Sequence, residues 1–128
     1  MPNSGNQNSN TALTSYQRTL DLVTTTNATP VLLISVPVPS GKTANINVFI
    51  IARGPSTRNI GDTAGSFTNT SGTITQDGTL LKQLRGVLST AQLTFTANNT
   101  TQAVEVYVNG LAATTINWSC ELTVKYNT

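Results

Sequence analysis

Side chains able to do acid–base or nucleophilic chemistry are few in this chain. Histidine is absent, which removes the usual general base near neutral pH and the commonest metal ligand. The carboxylates are Asp21, Asp62, Asp77, Glu105 and Glu121. Asp77 stands before a glycine in a turn-like dipeptide, and Glu105 and Glu121 fall on the polar parity of alternating segments. Spacing alone leaves a dyad open, but nothing in the pattern marks one out. The single cysteine, Cys120, excludes an internal disulfide. Its apolar parity predicts a buried small hydrophobe rather than a reactive thiol. No Gly-rich loop followed by Lys-Ser/Thr offers a phosphate cradle, and no Cys/His set offers a zinc site. Asn27, Asn69, Asn98, Asn99 and Asn117 each open an Asn-X-Ser/Thr triplet. In a chain this rich in Asn and Thr such triplets arise from composition, and without a secretory signal they carry little weight. The expectation is a protein without catalytic residues, cofactor or metal.

A protein without such chemistry works through its surface, and composition describes that surface. The 128 residues suffice for one domain with one core. Charged residues make up 9% of the chain, against roughly 25% in an average soluble protein. Thr, Asn, Ser and Gln supply the polarity instead, which suits strands with threonine on their wet faces and Asn/Ser/Gly turns between them. Net charge is +2, with no cluster of Lys or Arg in sequence, so no electrostatic footprint for nucleic acid is expected. So weakly charged a surface is compatible with life inside an assembly, and equally with a surface merely poor in charge. Residues 1–15 have neither the basic start nor the apolar run of a signal peptide. No stretch approaches the roughly 20 apolar residues that cross a bilayer. Synthesis in a cytosol, with no membrane partner, is expected.

The elements that position the surface read as strands. In Ile116–Tyr126, the residues Ile116, Trp118, Cys120, Leu122, Val124 and Tyr126 share one parity, and Asn117, Ser119, Glu121, Thr123 and Lys125 share the other. Successive strand side chains point to opposite faces, so this is a wall with one dry side. Thr43–Arg53 is a second such wall, with Ile46, Val48, Ile50 and Ala52 inward. There Phe49 and Ile51 add apolar groups to the outer face, where either a loop or another subunit must cover them. Val31–Val38 places Leu32, Ile34, Val36 and Val38 on one face, and Pro37 demotes that end to an edge or a terminus. Gln102–Val108 turns Val104, Val106 and Val108 inward, and Ala91–Ala97 does the same with Leu93 and Phe95.

The remaining segments complete an all-β chain. Tyr16–Val23 alternates weakly and reads as an edge strand, followed by a turn to Pro30. Gly54–Gly61 reads as a loop and Asp62–Thr70 as a short polar strand. Ser71-Gly72 turns the chain; Asp77-Gly78 and Asn109-Gly110 read as two-residue hairpin turns. Thr79–Leu88 puts Leu80, Leu84 and Leu88 on one parity. Leu81, Leu84 and Leu88 would also fit a helical turn, but the Thr/Gly flanks favour strand. About eight short strands joined by turns, without a convincing helix, predict an antiparallel β-sandwich or jelly roll over residues 16–128. Residues 1–15 form a polar arm with almost nothing to bury.

Several segments in order carry a resemblance: Thr24–Pro30 before an apolar strand, Ala52-Arg53 closing the next, and Gly61-Asp-Thr-Ala64. Gly72–Gln76, Val106–Gly110 and Ala112–Trp118 continue the series. Together they resemble a small β-sandwich domain found in structural proteins of tailed bacteriophages, including capsid cement proteins and tail-fibre tips. The likeness spans about Leu20 to Tyr126. It implies a jelly-roll-like sandwich, commonly assembled as a trimer, in the virion. Members often carry an aromatic residue in the strand that here holds Phe95. The Pro55-Ser-Thr-Arg58 loop departs from the pattern.

The resemblance makes two structural readings and a third class the expectations to weigh. The first is a capsid decoration protein that binds the major capsid protein on the outside of the shell and stabilises its junctions, as a trimer with itself. Its expected contacts are the arm (Asn3, Asn6, Asn8, Asn10 and Leu13), Tyr16, the outer-face pair Phe49 and Ile51, and Arg53 and Arg58 toward acidic groups. The alternative is a receptor-binding tip of a tail fibre or spike, in which Gly54–Gly61 or Asn98–Thr101 touches a host receptor. The lack of heptads and repeats favours the first. A jelly-roll lectin or glycosidase would need clustered aromatics and carboxylates, which 5% aromatic content does not supply.

Overall fold

A computed structural model describes residues 15–55, 58–86 and 92–127. They form eight strands: β1 (Ser15–Thr25), β2 (Val31–Pro37), β3 (Thr43–Arg53), β4 (Arg58–Thr70), β5 (Thr73–Gly86), β6 (Gln92–Asn98), β7 (Ala103–Asn109) and β8 (Ile116–Asn127). All pairings are antiparallel. One sheet has the order β1-β8-β3-β4-β5 and the other β2-β7-β6. The chain passes between sheets at β1–β2, β2–β3, β5–β6 and β7–β8, while β3-β4-β5 and β6-β7 run as hairpins. The class expected from the sequence, an antiparallel β-sandwich, is the one observed. Residues 1–14 lie outside the described residues, and with them all of the arm of residues 1–15 except Ser15, which opens β1.

Period-two patterning builds the core. β3 buries Ala44, Ile46, Val48, Ile50 and Ala52; β8 buries Ile116, Trp118, Cys120, Leu122 and Val124. Val104, Val106 and Val108 of β7, with Leu93 of β6, face them from the smaller sheet in one contiguous cluster. Phe95 packs against Phe67 with ring centroids 5.8 Å apart, a tilted contact favoured by ring quadrupoles. Burying each aliphatic side chain stabilises the fold by about 1.5–3 kcal/mol. β1 and β2 both lie at sheet edges, as the weak alternation of one and Pro37 of the other predict.

Buried polar groups are satisfied at both ends of the sandwich, and those around Asn69 also tie the two sheets together. Asn69, fully buried, donates from Nδ2 to Val38 O at 2.7 Å and to Gln102 Oε1 at 2.6 Å. Its Oδ1 accepts from Gly72 N at 2.9 Å. At the far end Trp118 Nε1 donates to Thr25 Oγ1 at 2.9 Å, so the indole is buried without stranding its donor.

Four expectations need correction. Leu32 does not join Ile34, Val36 and Val38 inside; it is 47% exposed, because the β2–β7 register shifts between Leu32 and Ile34, and a bulge reverses strand parity. Asp77-Gly78 is not a hairpin turn. It lies within continuous β5, where Gly78 takes φ 70° at a register shift against β4. The hairpin closes at Ser71-Gly72, with φ 52° and 94°, values that match the twist of the flanking strands. Asn109-Gly110 leads into a crossover between sheets rather than a hairpin. Gly110 serves close approach, since a Cβ there would stand 2.6 Å from Asn27 O. Finally, Arg58–Gly61 is strand, not loop: Arg53 pairs with Arg58, and the ladder continues through Ile51↔Ile60.

Candidate protein-interaction surface

The start of β4 at Arg58 assembles a surface. Directly paired antiparallel residues share a face, so the ladders define rows across the outside of the larger sheet. One row is Ser119 (β8), Ile51 (β3), Ile60 (β4) and Arg85 (β5); the row toward the sheet end is Asn117, Arg53 and Arg58. The row on the other side is Glu121, Phe49, Asp62 and Gln83, and beyond it come Thr123, Asn47, Ala64 and Leu81. Successive rows stand about 7 Å apart.

Apolar groups gather on this face. Ile51 is 46% exposed, Ile60 38% and Leu81 64%, and Phe49 is half-buried. At the other end of the face Asn45, Ser66, Thr68 and Lys125 take over, so the apolar character belongs to one end. Ile51, Arg53, Arg58 and Ile60 line a shallow depression of about 360 Å³. A second, of about 210 Å³, lies between Phe49, Ile51, Ser119 and Glu121. A third, of about 240 Å³, borders Arg53, Gly54, Pro55, Thr115 and Asn117. An exposed apolar area rimmed by charge is the usual form of a protein-binding site, and a sheet face that stays wet has no folding reason to carry it.

Three of the chain's four arginines, Arg53, Arg58 and Arg85, stand exposed at this end. Arg53 and Arg58 are directly opposite each other, an arrangement that costs stability because like charges face across the ladder. Among the described residues, no group of three or more Cys, Asp or Glu stands together as a cation site. Asp77 is held by Thr68 Oγ1 at 2.6 Å. Glu105 accepts from Tyr107 OH at 2.8 Å and from Asn98 Nδ2 at 3.1 Å.

The structure therefore brings Phe49, Ile51, Arg53 and Arg58 onto one face. Tyr16 lies opposite Val124 on β1, at the other end of the sheet. Asn3, Asn6, Asn8, Asn10 and Leu13 lie outside the described residues. Sequence reasoning missed Ile60, Leu81 and Arg85. The signal for Ile60 was the alternation Arg58, Ile60, Asp62, Ala64, hidden by reading Gly54–Gly61 as a loop. In the loop Asn98–Thr101, Asn98 Oδ1 accepts from Thr100 N at 3.0 Å and Thr101 N at 3.2 Å, so Asn98 serves the turn itself.

No protein-family model matches the chain, and no curated protein matches it. Among solved structures it is similar to the chain described as the Acinetobacter phage vB_ApiP_P1 tailspike protein, with a TM-score of 0.37 and 14% identity. The match covers 99% of this chain and 24% of the tailspike; the chain spans about a quarter of that protein's length. A likeness of this degree assigns no function.

Proposed function

We propose that this chain is a structural protein of a tailed-bacteriophage virion, a decoration protein that binds the outside of the capsid shell and acts by contact rather than catalysis. The observation that carries the reading is the exposed apolar and arginine-rich end of the larger sheet, a surface suited to a protein partner. The ordered series of motifs that resembles phage sandwich domains supports the virion as its setting. A protein that binds only the assembled shell stabilises that shell by mass action, each docked copy adding its own binding free energy. In this reading the major capsid protein is the partner, the chain associates with itself as a trimer, and the residues before Ser15 extend the contact. It takes no cofactor and engages neither nucleic acid nor membrane.

Copy number tests the proposal. Quantitative mass spectrometry of purified particles should give a ratio to the major capsid subunit near one or a simple fraction of it. A few copies per particle would move the chain to a fibre or spike tip and make a host receptor the partner. Absence from particles would overturn both.

A further inference from the structure

We propose that the surface docking on Phe49, Ile51 and Ile60 is an acidic protein surface, with carboxylates placed to meet Arg53, Arg58 and Arg85 around an apolar knob. This rests on the reading of the chain as a shell-binding protein and specifies the chemistry of its partner. Across β8, β3, β4 and β5, the described residues of the rows Asn117-Arg53-Arg58 and Ser119-Ile51-Ile60-Arg85 include three arginines and no Asp or Glu; beyond Ser119, the β1 bulge holds Asp21. The face is therefore cationic at its end and apolar in its middle. The depression of about 360 Å³ is lined by Ile51, Ala52 and Ile60 together with Arg53 and Arg58, large enough to admit an apolar side chain beside two cations.

Folding does not account for these cations. Arg53 and Arg58 oppose each other across the ladder, which weakens the isolated domain. A chain with only 9% charged residues concentrates three of its four arginines here. Arginine also differs from lysine in presenting a planar fork that binds carboxylates bidentately and tolerates partial burial at interfaces. Net charge of only +2 means that attraction is local to this end rather than a property of the whole surface. Asp62 and Glu121, either side of Phe49 in the next row, repel carboxylates there and so fix the direction in which an acidic partner can lie.

The test is add-back of purified protein to particles assembled without this chain, with binding read by co-sedimentation. Raising salt from about 0.1 M to 1 M shortens the screening length from roughly 10 Å to 3 Å, and binding of the unaltered protein should weaken about tenfold or more. Arg58→Glu should weaken binding by about tenfold at low salt, with Arg58→Lys intermediate. Arg58→Glu places an opposite charge against Arg53, so its unfolding temperature should equal or exceed that of the unaltered protein; lost binding then cannot be ascribed to misfolding. Salt-independent binding, or Arg58→Glu and Arg85→Glu proteins that bind normally, would overturn the acidic partner while leaving shell binding intact. Failure of the unaltered protein to bind at any salt would remove the reading beneath it. Reversible dimers that dissolve on Arg58→Glu, in sedimentation of the free protein, would overturn it in favour of a second copy. Displacement from particles by a sulfated glycan but not by poly-L-glutamate would overturn it in favour of an anionic sugar.

Discussion

Replacing Thr63 by valine should stabilise the domain. Thr63 is 1% exposed on the core side of β4, paired with Val48 on one side and Lys82 on the other. Its Oγ1 is buried without a hydrogen-bond partner. A hydroxyl taken from water without a replacement bond costs about 1–3 kcal/mol. Valine has nearly the same shape and high strand propensity, and it puts a methyl where the hydroxyl was. Allowing for residual hydration in the unfolded chain, a net gain of about 1–2 kcal/mol is expected. Equilibrium urea unfolding would show this as a higher midpoint at unchanged slope, and thermal unfolding as a rise of roughly 3–6 °C. Thr63→Ser keeps the hydroxyl and loses the methyl, and should instead lose about 1 kcal/mol. A Thr63→Val protein less stable than the original would refute the reasoning, since it would mean that the hydroxyl is satisfied in solution.

Three further outcomes are expected. Asn69→Asp would turn a carboxylate toward Val38 O and Gln102 Oε1, both acceptors, and should destabilise by more than about 3 kcal/mol in urea unfolding at neutral pH; lowering the pH should recover part of the loss. Gly110→Ala sets a Cβ against Asn27 O and the Thr25 side chain, and calorimetry should record a loss of about 2–3 kcal/mol. Burial pushes the Cys120 thiol up to about 11 from 9.0, so the native state holds that proton more tightly than the unfolded chain. Its contribution is complete below about pH 9 and declines as pH rises toward 11, a loss of about 1–2 kcal/mol relative to Cys120→Ala, whose profile lacks this step.

The walls of the sandwich were legible because strands with one dry face carry a strict period of two. β3, β7 and β8 have that pattern, and the residues the alternation turns inward on β3 and β7 are buried, with Ala103 at the start of β7 buried off the pattern. Bulges and crossovers were not legible. One extra residue at Leu33 reverses the meaning of Leu32, and a sequence does not mark where a ladder slips. Asp77-Gly78 and Asn109-Gly110 carry the residues of a tight turn, yet the same freedom at Gly78 serves a bulge, and the missing Cβ of Gly110 serves close packing. Half of the interaction surface was visible as the off-pattern Phe49 and Ile51. Its other half depended on register: only when Arg53 is known to pair with Arg58, and Ile60 with Arg85, does the row Ile51-Ile60-Arg85 form. Such neighbours lie in the ladder between strands, which no local pattern records.

Footprinting on the assembled particle tests the docking face most directly. Ile51 and Leu32 are exposed almost equally, 46% and 47%, on opposite sides of the sandwich, so each serves as the other's control under hydroxyl-radical labelling. Shell docking through the larger sheet predicts that Phe49, Ile51, Ile60 and Leu81 lose labelling on particles relative to free protein, while Leu32 keeps it. Equal labelling of Ile51 in both states, or protection of Leu32 in its place, would contradict it.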